Sequence, residues 1–143
     1  MSYLSPTLTL LVGAVKKATA SLDRDFNEIE KLQSSVRGYQ NFVSRSCERV
    51  AQTLKGELSR VRPDAVFVDG KPPLSRGCCF MVNPIDGMGN FVRGIPVFAT
   101  TVAYCENGEV KASVVYNRAS DELYFAEKGS GAYKEGFRNH ERL

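Results

Sequence analysis

The sequence has few of the residues from which metal centres and nucleic-acid-binding surfaces are usually built. It contains one histidine, His140, and its four cysteines show no Cys-x-x-Cys spacing, so a structural zinc site is not indicated. Its net charge is only +3, and the 19 Lys and Arg residues are spread along the chain, which gives no indication of a nucleic-acid partner. No apolar stretch approaches the roughly 20 residues that a membrane-spanning helix needs.

The cysteines also bear on the compartment of the protein. They are Cys47, Cys78, Cys79 and Cys105. Because Cys78 and Cys79 are adjacent within an apolar segment, we expect small buried residues of a protein from the reducing cytosol, with a redox pair as the alternative. The short apolar run at 8–15 has no basic residue before it and fits a secretory signal poorly. A cytoplasmic protein without a membrane segment is the expectation.

The first part of the chain has helical patterning. Ser5 precedes a proline, as is typical of a helix N-cap, and apolar residues then recur at helical spacing until about Ile29 or Lys31. A second helix is predicted over residues 44–60 by the same spacing. The polar segment 34–40 between the two helices is predicted to be a mobile loop.

The rest of the chain is patterned as strands. They are predicted, in order, over residues 65–68, 78–82, 97–104, 110–116, 122–126 and 132–133. The strand at 97–104 is apolar on both faces, so we expect it to be covered on both sides. Helices followed by an antiparallel meander define an α+β fold, and the length suits a single domain over residues 1–143.

One corner of this pattern has the residue types of a ligand site. Residues 83–91 (Asn-Pro-Ile-Asp-Gly-Met-Gly-Asn-Phe) follow the apolar strand at 78–82 and place Asp86 at the tip of a tight turn. A carboxylate at a strand end, followed by free backbone N–H groups, can present a divalent cation and an oxyanion site side by side. The alternative is a surface turn, because Asn-Pro and Asp-Gly are ordinary turn dipeptides.

This run resembles the Asp-Pro-Ile/Leu-Asp-Gly-Thr-x-Asn-Phe signature of the inositol monophosphatase family, and the chain is similar to its bacterial, extragenic-suppressor-like members. The similarity continues through residues 92–99, 113–117, 122–124 and 129–133. The resemblance implies the first αβ subdomain of the sugar-phosphatase fold, with two N-terminal helices packed on an antiparallel meander. It also implies Mg²⁺-dependent hydrolysis of a phosphomonoester such as inositol monophosphate, and dimerisation.

The resemblance also assigns roles within the run. Asp86 matches a metal-ligand Asp of the family, and the carbonyl of Ile85 matches a backbone ligand. Asn83 stands where a further metal-ligand Asp is expected, and Met88 stands where a Thr orients the attacking water. The backbone N–H groups of Gly87 and Met88 would bind the phosphate.

Two more acidic positions of the family are altered here. Cys47 stands where a helical Asp faces the active site, and it is predicted to be a small core residue instead. Asp69 is the one carboxylate left where the family strand ends in Glu-Glu. Family members are also about twice as long and carry a further metal-binding Asp in their second half. We expect that half to be either a separate polypeptide or lost.

These departures predict Mg²⁺ binding that is weak or lost, and a pseudoenzyme whose catalysis is impaired while phosphate affinity persists. Two alternatives remain open. One is a non-catalytic module for dimerisation or interaction, since bacterial members of the family also look like partners of the transcription machinery. The other is one half of a split phosphatase, completed by a partner chain.

Overall fold

The N-terminal part of the chain folds into three helices. In the computed structural model, which describes residues 4–32, 36–68, 75–136 and 139–143, these are α1 (Pro6–Thr19), α2 (Leu22–Leu32) and α3 (Val36–Val61). The predicted N-cap is present, because the Ser5 hydroxyl accepts a hydrogen bond of 3.1 Å from the backbone N–H of Leu8.

The first predicted helix is interrupted rather than continuous. It ends at Thr19, whose hydroxyl donates to the backbone carbonyl of Val15 at 2.8 Å, a local bond that competes with helix propagation. The apolar spacing does not reveal this break, because Leu22 and Ile29 of α2 are buried as well and extend the same pattern.

The loop predicted at 34–40 is wrong for residues 36–40, which form the start of α3. Residues 33–35 lie outside the described part of the chain. Gly38 suggested a helix break, but an isolated glycine in a helix costs only about 1 kcal/mol relative to alanine. The long helix that follows accommodates it.

A single sheet follows the helices within the described residues. Its strands are β1 (Val66–Val68), β2 (Cys78–Asp86), β3 (Ala99–Glu106), β4 (Glu109–Asn117), β5 (Glu122–Glu127), β6 (Gly131–Gly136) and β7 (Asn139–Arg142), with a short helix α4 (Met88–Val92) between β2 and β3. The strands are ordered β1 to β7 as in the sequence. β1 pairs with β2 in parallel, and every later pair is antiparallel. This confirms the α+β fold class.

The two faces of this sheet differ in what covers them. On the face that we call the helix face, Phe80, Val102 and Val114 are at most 1% exposed and share one core with buried residues of α1, α2 and α3. On the opposite face, here the open face, a small buried cluster around Cys79 and Cys105 contains strand residues only. The strand at 97–104 was expected to be covered on both sides. Among the described residues, helices cover it on the helix face only.

Among the described residues, no helix has both the length and the apolar character that crossing a membrane would require.

Candidate functional site

The corner after β2 is formed by a β-bulge. β2 stays paired with β3 up to Asn83 and pairs again at Asp86, while on β3 only Thr100 lies between the two partner residues. The hydroxyl of Thr100, which is 1% exposed, donates to the carbonyl of Pro84 at 2.8 Å. One extra residue therefore bends β2 away from the sheet, as bulges beside functional sites commonly do.

Gly87 fixes the direction in which the chain leaves this corner. Its φ of 87° is left-handed, and a Cβ on it would lie 3.1 Å from the carbonyl oxygen of Val97 and 3.3 Å from the Cα of Phe98. Only glycine suits both conditions. Its carbonyl accepts hydrogen bonds from the N–H groups of Asn90 (2.9 Å) and Phe91 (3.1 Å), which begin α4. The Asn90 side chain then donates to Val97 at 2.8 Å and closes the turn.

An aromatic cluster holds α4 in place. Phe91, which is fully buried, lies with its ring centroid 5.0 Å from that of Phe98 in an edge-on arrangement. Phe26 of α2 contacts both rings, at 6.0 Å from Phe91 and 5.3 Å from Phe98. The turn after Asp86 is thus anchored to α2, a contact that the motif itself does not predict.

A buried carboxylate in turn fixes α2 to α3. Asp25 is 2% exposed, and it accepts hydrogen bonds of 2.9 Å from the Ser46 hydroxyl and from Nη1 of Arg49. Buried charges persist only where they are paired in this way. The sequence holds one clue to this pair, because Asp25 occupies the same helical stripe as the buried Leu22 and Ile29.

The structure brings the predicted donors of the motif together in one turn, with different degrees of exposure. Asn83, Asp86 and Gly87 are exposed. The side chain of Ile85 is 5% exposed and belongs to the core, and Met88 is half-buried against the same core. The side-chain oxygens of the corner thus face solvent, while its apolar side chains hold it to the fold.

Of the two predicted positions outside residues 83–88, the structure describes only Cys47. Cys47 lies on α3, where it is half-buried and packs against the helix-face core. Burial raises the pKa of its thiol, which suits the expected core residue better than a ligand. Asp69 falls within residues 69–74, outside the described part of the chain.

The donor set can be tested against the needs of Mg²⁺. Among the described residues, no three His, Cys, Asp or Glu side chains come close enough together to hold a metal ion. The corner offers one carboxylate from Asp86, one amide oxygen from Asn83 and the carbonyl of Ile85. Mg²⁺ keeps several waters and accepts such hard oxygen ligands, so these residues fit one hydrated cation. They do not fit a two-metal site, which needs more carboxylates.

A groove lies beside the corner, lined by residues of the strands and of α3. It has a volume of about 650 Å³ and is lined by Asn83 and Pro84 together with Lys55 of α3. Its remaining lining residues are mostly apolar or small and come from α3 and from β1 to β4: Ala51, Val68, Met81, Val82, Thr101, Val102, Ala103, Ser113, Val114 and Val115. Of the predicted site residues, Asn83 alone lines it within the described chain.

Comparison with solved structures defines the class of fold. The chain superimposes on the crystal structure of the extragenic suppressor protein SuhB from Bartonella henselae with a TM-score of 0.76 and 34% sequence identity. The match covers 91% of this chain and 51% of that one. The fold is therefore that of the first half of such a protein.

The family follows from the sequence comparisons. The model of the inositol monophosphatase family matches residues 3–143, and the chain belongs to this family. It is 39% identical over 136 residues to the inositol-1-monophosphatase of Mesorhizobium japonicum, with 90% of this chain and 50% of the relative covered. It is also 28% identical over 129 residues to the Nus factor SuhB of Xylella fastidiosa, covering 89% and 47%. The chain thus spans about half the length of the curated relatives it matches.

Proposed function

We propose that this chain is an inositol-monophosphatase-like protein of the Mg²⁺-dependent phosphomonoesterase family whose catalysis is impaired or absent when the chain acts alone. The observation that carries the proposal is the make-up of the corner. Asp86 is exposed and can hold a cation, but Asn83 beside it brings no charge. Asp86, the amide of Asn83 and the carbonyl of Ile85 are the groups that would hold one Mg²⁺.

The missing charge weakens this site. When bound, Mg²⁺ would offset the charge of the phosphate and favour ionisation of a nearby water. One carboxylate charge about 4 Å from a doubly charged cation is worth about 8 kcal/mol at an effective dielectric of 20, before desolvation offsets part of it. A net loss of only about 1.4 kcal/mol already weakens binding tenfold. We therefore expect weak Mg²⁺ binding at Asp86.

The attacking water also lacks its positioning group. Met88 has no hydroxyl, and its half-buried side chain packs against the core instead of facing solvent. The phosphate side of the site depends less on side chains, because the N–H groups of Gly87 and Met88 belong to the backbone of the turn. We therefore propose that phosphate binding persists where hydrolysis does not.

Phosphate release from inositol 1-phosphate, measured with the purified chain over a millimolar Mg²⁺ series, tests the impairment. We expect no metal-dependent release above the blank. The Asn83→Asp/Met88→Thr double variant restores the two family residues and is the matched comparison. Turnover by the unmodified chain that disappears in Asp86→Ala would contradict the proposal.

Phosphate binding is tested separately by amide chemical shifts during a titration with inorganic phosphate. The amides of Gly87 and Met88 should shift, whereas that of Gly129, a turn glycine with a similar φ of 84°, should not. Unchanged shifts at Gly87 and Met88 would refute retained phosphate binding and leave the catalytic result unaffected.

The open face favours a second candidate, an interaction module that forms a homodimer or binds another protein. On this face Val66 is 50% exposed, and Val115, which lines the groove, is 37% exposed. Apolar patches of this kind commonly mark interaction sites. Relatives named Nus factor SuhB also favour a role other than catalysis. Light scattering would detect a dimer, and Val115→Asp should dissociate it if this face forms the contact.

The same face suits a split phosphatase, in which a second chain supplies the half that the relatives contain. Under that model, adding a separately produced second half should confer Mg²⁺-dependent phosphate release on this chain. The same addition should have no effect on activity if the chain is an interaction module. We place either function in the cytoplasm, because Cys78 and Cys79 are adjacent in an apolar strand, as is typical of proteins of the reducing cytosol.

A further inference from the structure

The adjacent cysteines of β2 point to opposite faces of the sheet, as neighbouring residues of a strand do. Cys78 lies on the helix face, where its sulfur accepts hydrogen bonds from Nη2 of Arg62 at 2.8 Å and from the Tyr104 hydroxyl at 3.3 Å. Cys79 lies on the open face and is fully buried in the small strand cluster. A redox pair between Cys78 and Cys79 is therefore disfavoured by the geometry.

Cys79 has a different cysteine directly opposite it. The register of β2 and β3 pairs Cys79 with Cys105, and the pairing on either side of them is regular. Directly opposed residues of antiparallel strands have Cα atoms about 4.5–5.5 Å apart, and disulfides need about 4.4–6.8 Å. The backbone thus places these two residues at a separation that a disulfide can bridge.

Both thiols are shielded at rest. Cys79 and Cys105 have no exposed surface, and the half-buried Met81 and Ala103 pack against them. Burial raises the pKa of the Cys105 thiol to about 11, and the neighbouring Cys79 adds to this rise. Because only thiolates react readily, the pair stays reduced unless an oxidant small enough to enter the cluster is present.

We propose that Cys79 and Cys105 form a dithiol that a peroxide converts to a disulfide across β2 and β3. In the first step, the sulfur of one cysteine loses its proton and attacks a peroxide oxygen. The O–O bond breaks, a water leaves, and a sulfenic acid forms. In the second step, the sulfur of the other cysteine attacks the sulfenic sulfur, and its proton leaves with the hydroxyl as a second water. Both sulfurs are oxidised by one electron each, and hydrogen peroxide is reduced to two waters.

The bond would close residues 79–105 into a loop that contains the corner and α4. It would tie the strand carrying Asn83 and Asp86 to β3, with which that strand already pairs. Such a cross-link stabilises mainly by restricting the unfolded chain, so we expect the melting temperature to rise by about 5 °C. The device depends on the fold and is independent of whether the chain is catalytic.

The full chain is tested with hydrogen peroxide, thiol counting and peptide mapping without reductant. Trypsin releases residues 77–93, which hold both Cys78 and Cys79, and residues 94–111, which hold Cys105. The Cys78→Ala variant is therefore needed to assign the bond. We expect these two peptides to be linked in Cys78→Ala and in Cys47→Ala, with the rise in melting temperature reversed by dithiothreitol.

Cys79→Ala and Cys105→Ala should lose both the cross-link and the rise in melting temperature. If either variant fails to fold, the mapping in Cys78→Ala still decides the question. The proposal is overturned if the two peptides stay unlinked in Cys78→Ala, if the bond forms between chains, or if oxidation lowers the melting temperature.

Discussion

The helix face and the open face of the sheet are made from alternating residues of the same strands, and β4 shows how far they differ. Val114 is fully buried under the helices, whereas Val115, the next residue, is 37% exposed. Both are valines in the same strand, so strand propensity is the same for each. What differs is the cover: helices α1 to α3 bury residues on one face, whereas the buried cluster described on the other face contains strand residues only.

Some apolar residues of the sheet therefore stabilise the chain itself, whereas others are available for contact with another molecule. On the helix face, an apolar side chain contributes to the core of this chain. On the open face, Val66 and Val115 contribute little to the core, although they are as apolar as the valines of the helix face. Substitutions on the two faces test this difference.

Phe80→Ala should have the largest effect, because it removes a helix-face ring that is 1% exposed and lies 5.3 Å from Tyr104 and 5.7 Å from Phe67. We expect the free energy of unfolding to fall by about 3–5 kcal/mol, measured by urea denaturation. Met81→Ala, one residue along on the open face, is the control and should cost about 1 kcal/mol because Met81 is half-buried. Equal losses of unfolding free energy in the two variants would show that the two faces contribute equally to stability.

Val114→Ala and Val115→Ala compare the same substitution on the two faces of one strand. Val114→Ala should lower the free energy of unfolding by about 2 kcal/mol, since it removes two buried methyl groups and leaves a cavity. Val115→Ala should cost about 0.5 kcal/mol or less in the isolated chain. A cost for Val115→Ala that grows with protein concentration would show that a second copy covers the open face.

A change to alkaline pH should have the smallest effect on the free energy of unfolding. It tests the contribution of Tyr116, whose side chain lies on the helix face. Burial, and then the hydrogen bond of 2.6 Å to Asp121, raises the pKa of Tyr116 to about 12, against an ordinary value near 10. The folded state therefore favours the neutral phenol, so its contribution is complete below pH 10 and declines as the pH rises from 10 to 12. We expect a loss of about 1 kcal/mol at pH 11.

The measurement is urea denaturation at pH 9 and pH 11 for the unmodified chain and for Tyr116→Phe. Other groups also titrate in this range, so the quantity of interest is the difference in pH dependence between the two proteins. A decline that is equally steep in Tyr116→Phe would mean that Tyr116 does not contribute to it.

Much of the fold follows from the sequence because patterning and capping act locally. The N-cap at Ser5 and the order of the strands depend on residues close in the chain, and the family motif places the corner after β2. The break at Thr19 does not follow, since the buried spacing continues past it. The helical start at 36–40 was also missed, because tertiary context overrides the weak preference of one glycine.

The candidate site also follows from the sequence only in part, because a short motif contains only residues that are close in the chain. The motif identifies Asp86, Asn83 and Gly87 by their order, and the structure places them in one turn. It does not identify the parts that hold the turn, such as Thr100 opposite the bulge or the rings of Phe26 and Phe98, because these residues lie outside the motif. Long-range partners of this kind are not encoded in the spacing of a short motif.

The exposure of Asn83 and Asp86 at a corner held by Gly87 and Phe91 has a consequence for how this chain can evolve. Substitutions of exposed side chains usually change stability by less than about 0.5 kcal/mol. The residues that would do chemistry can therefore drift while the buried residues remain under selection for folding. A lineage can lose or regain a catalytic group at this corner without passing through an unfolded ancestor.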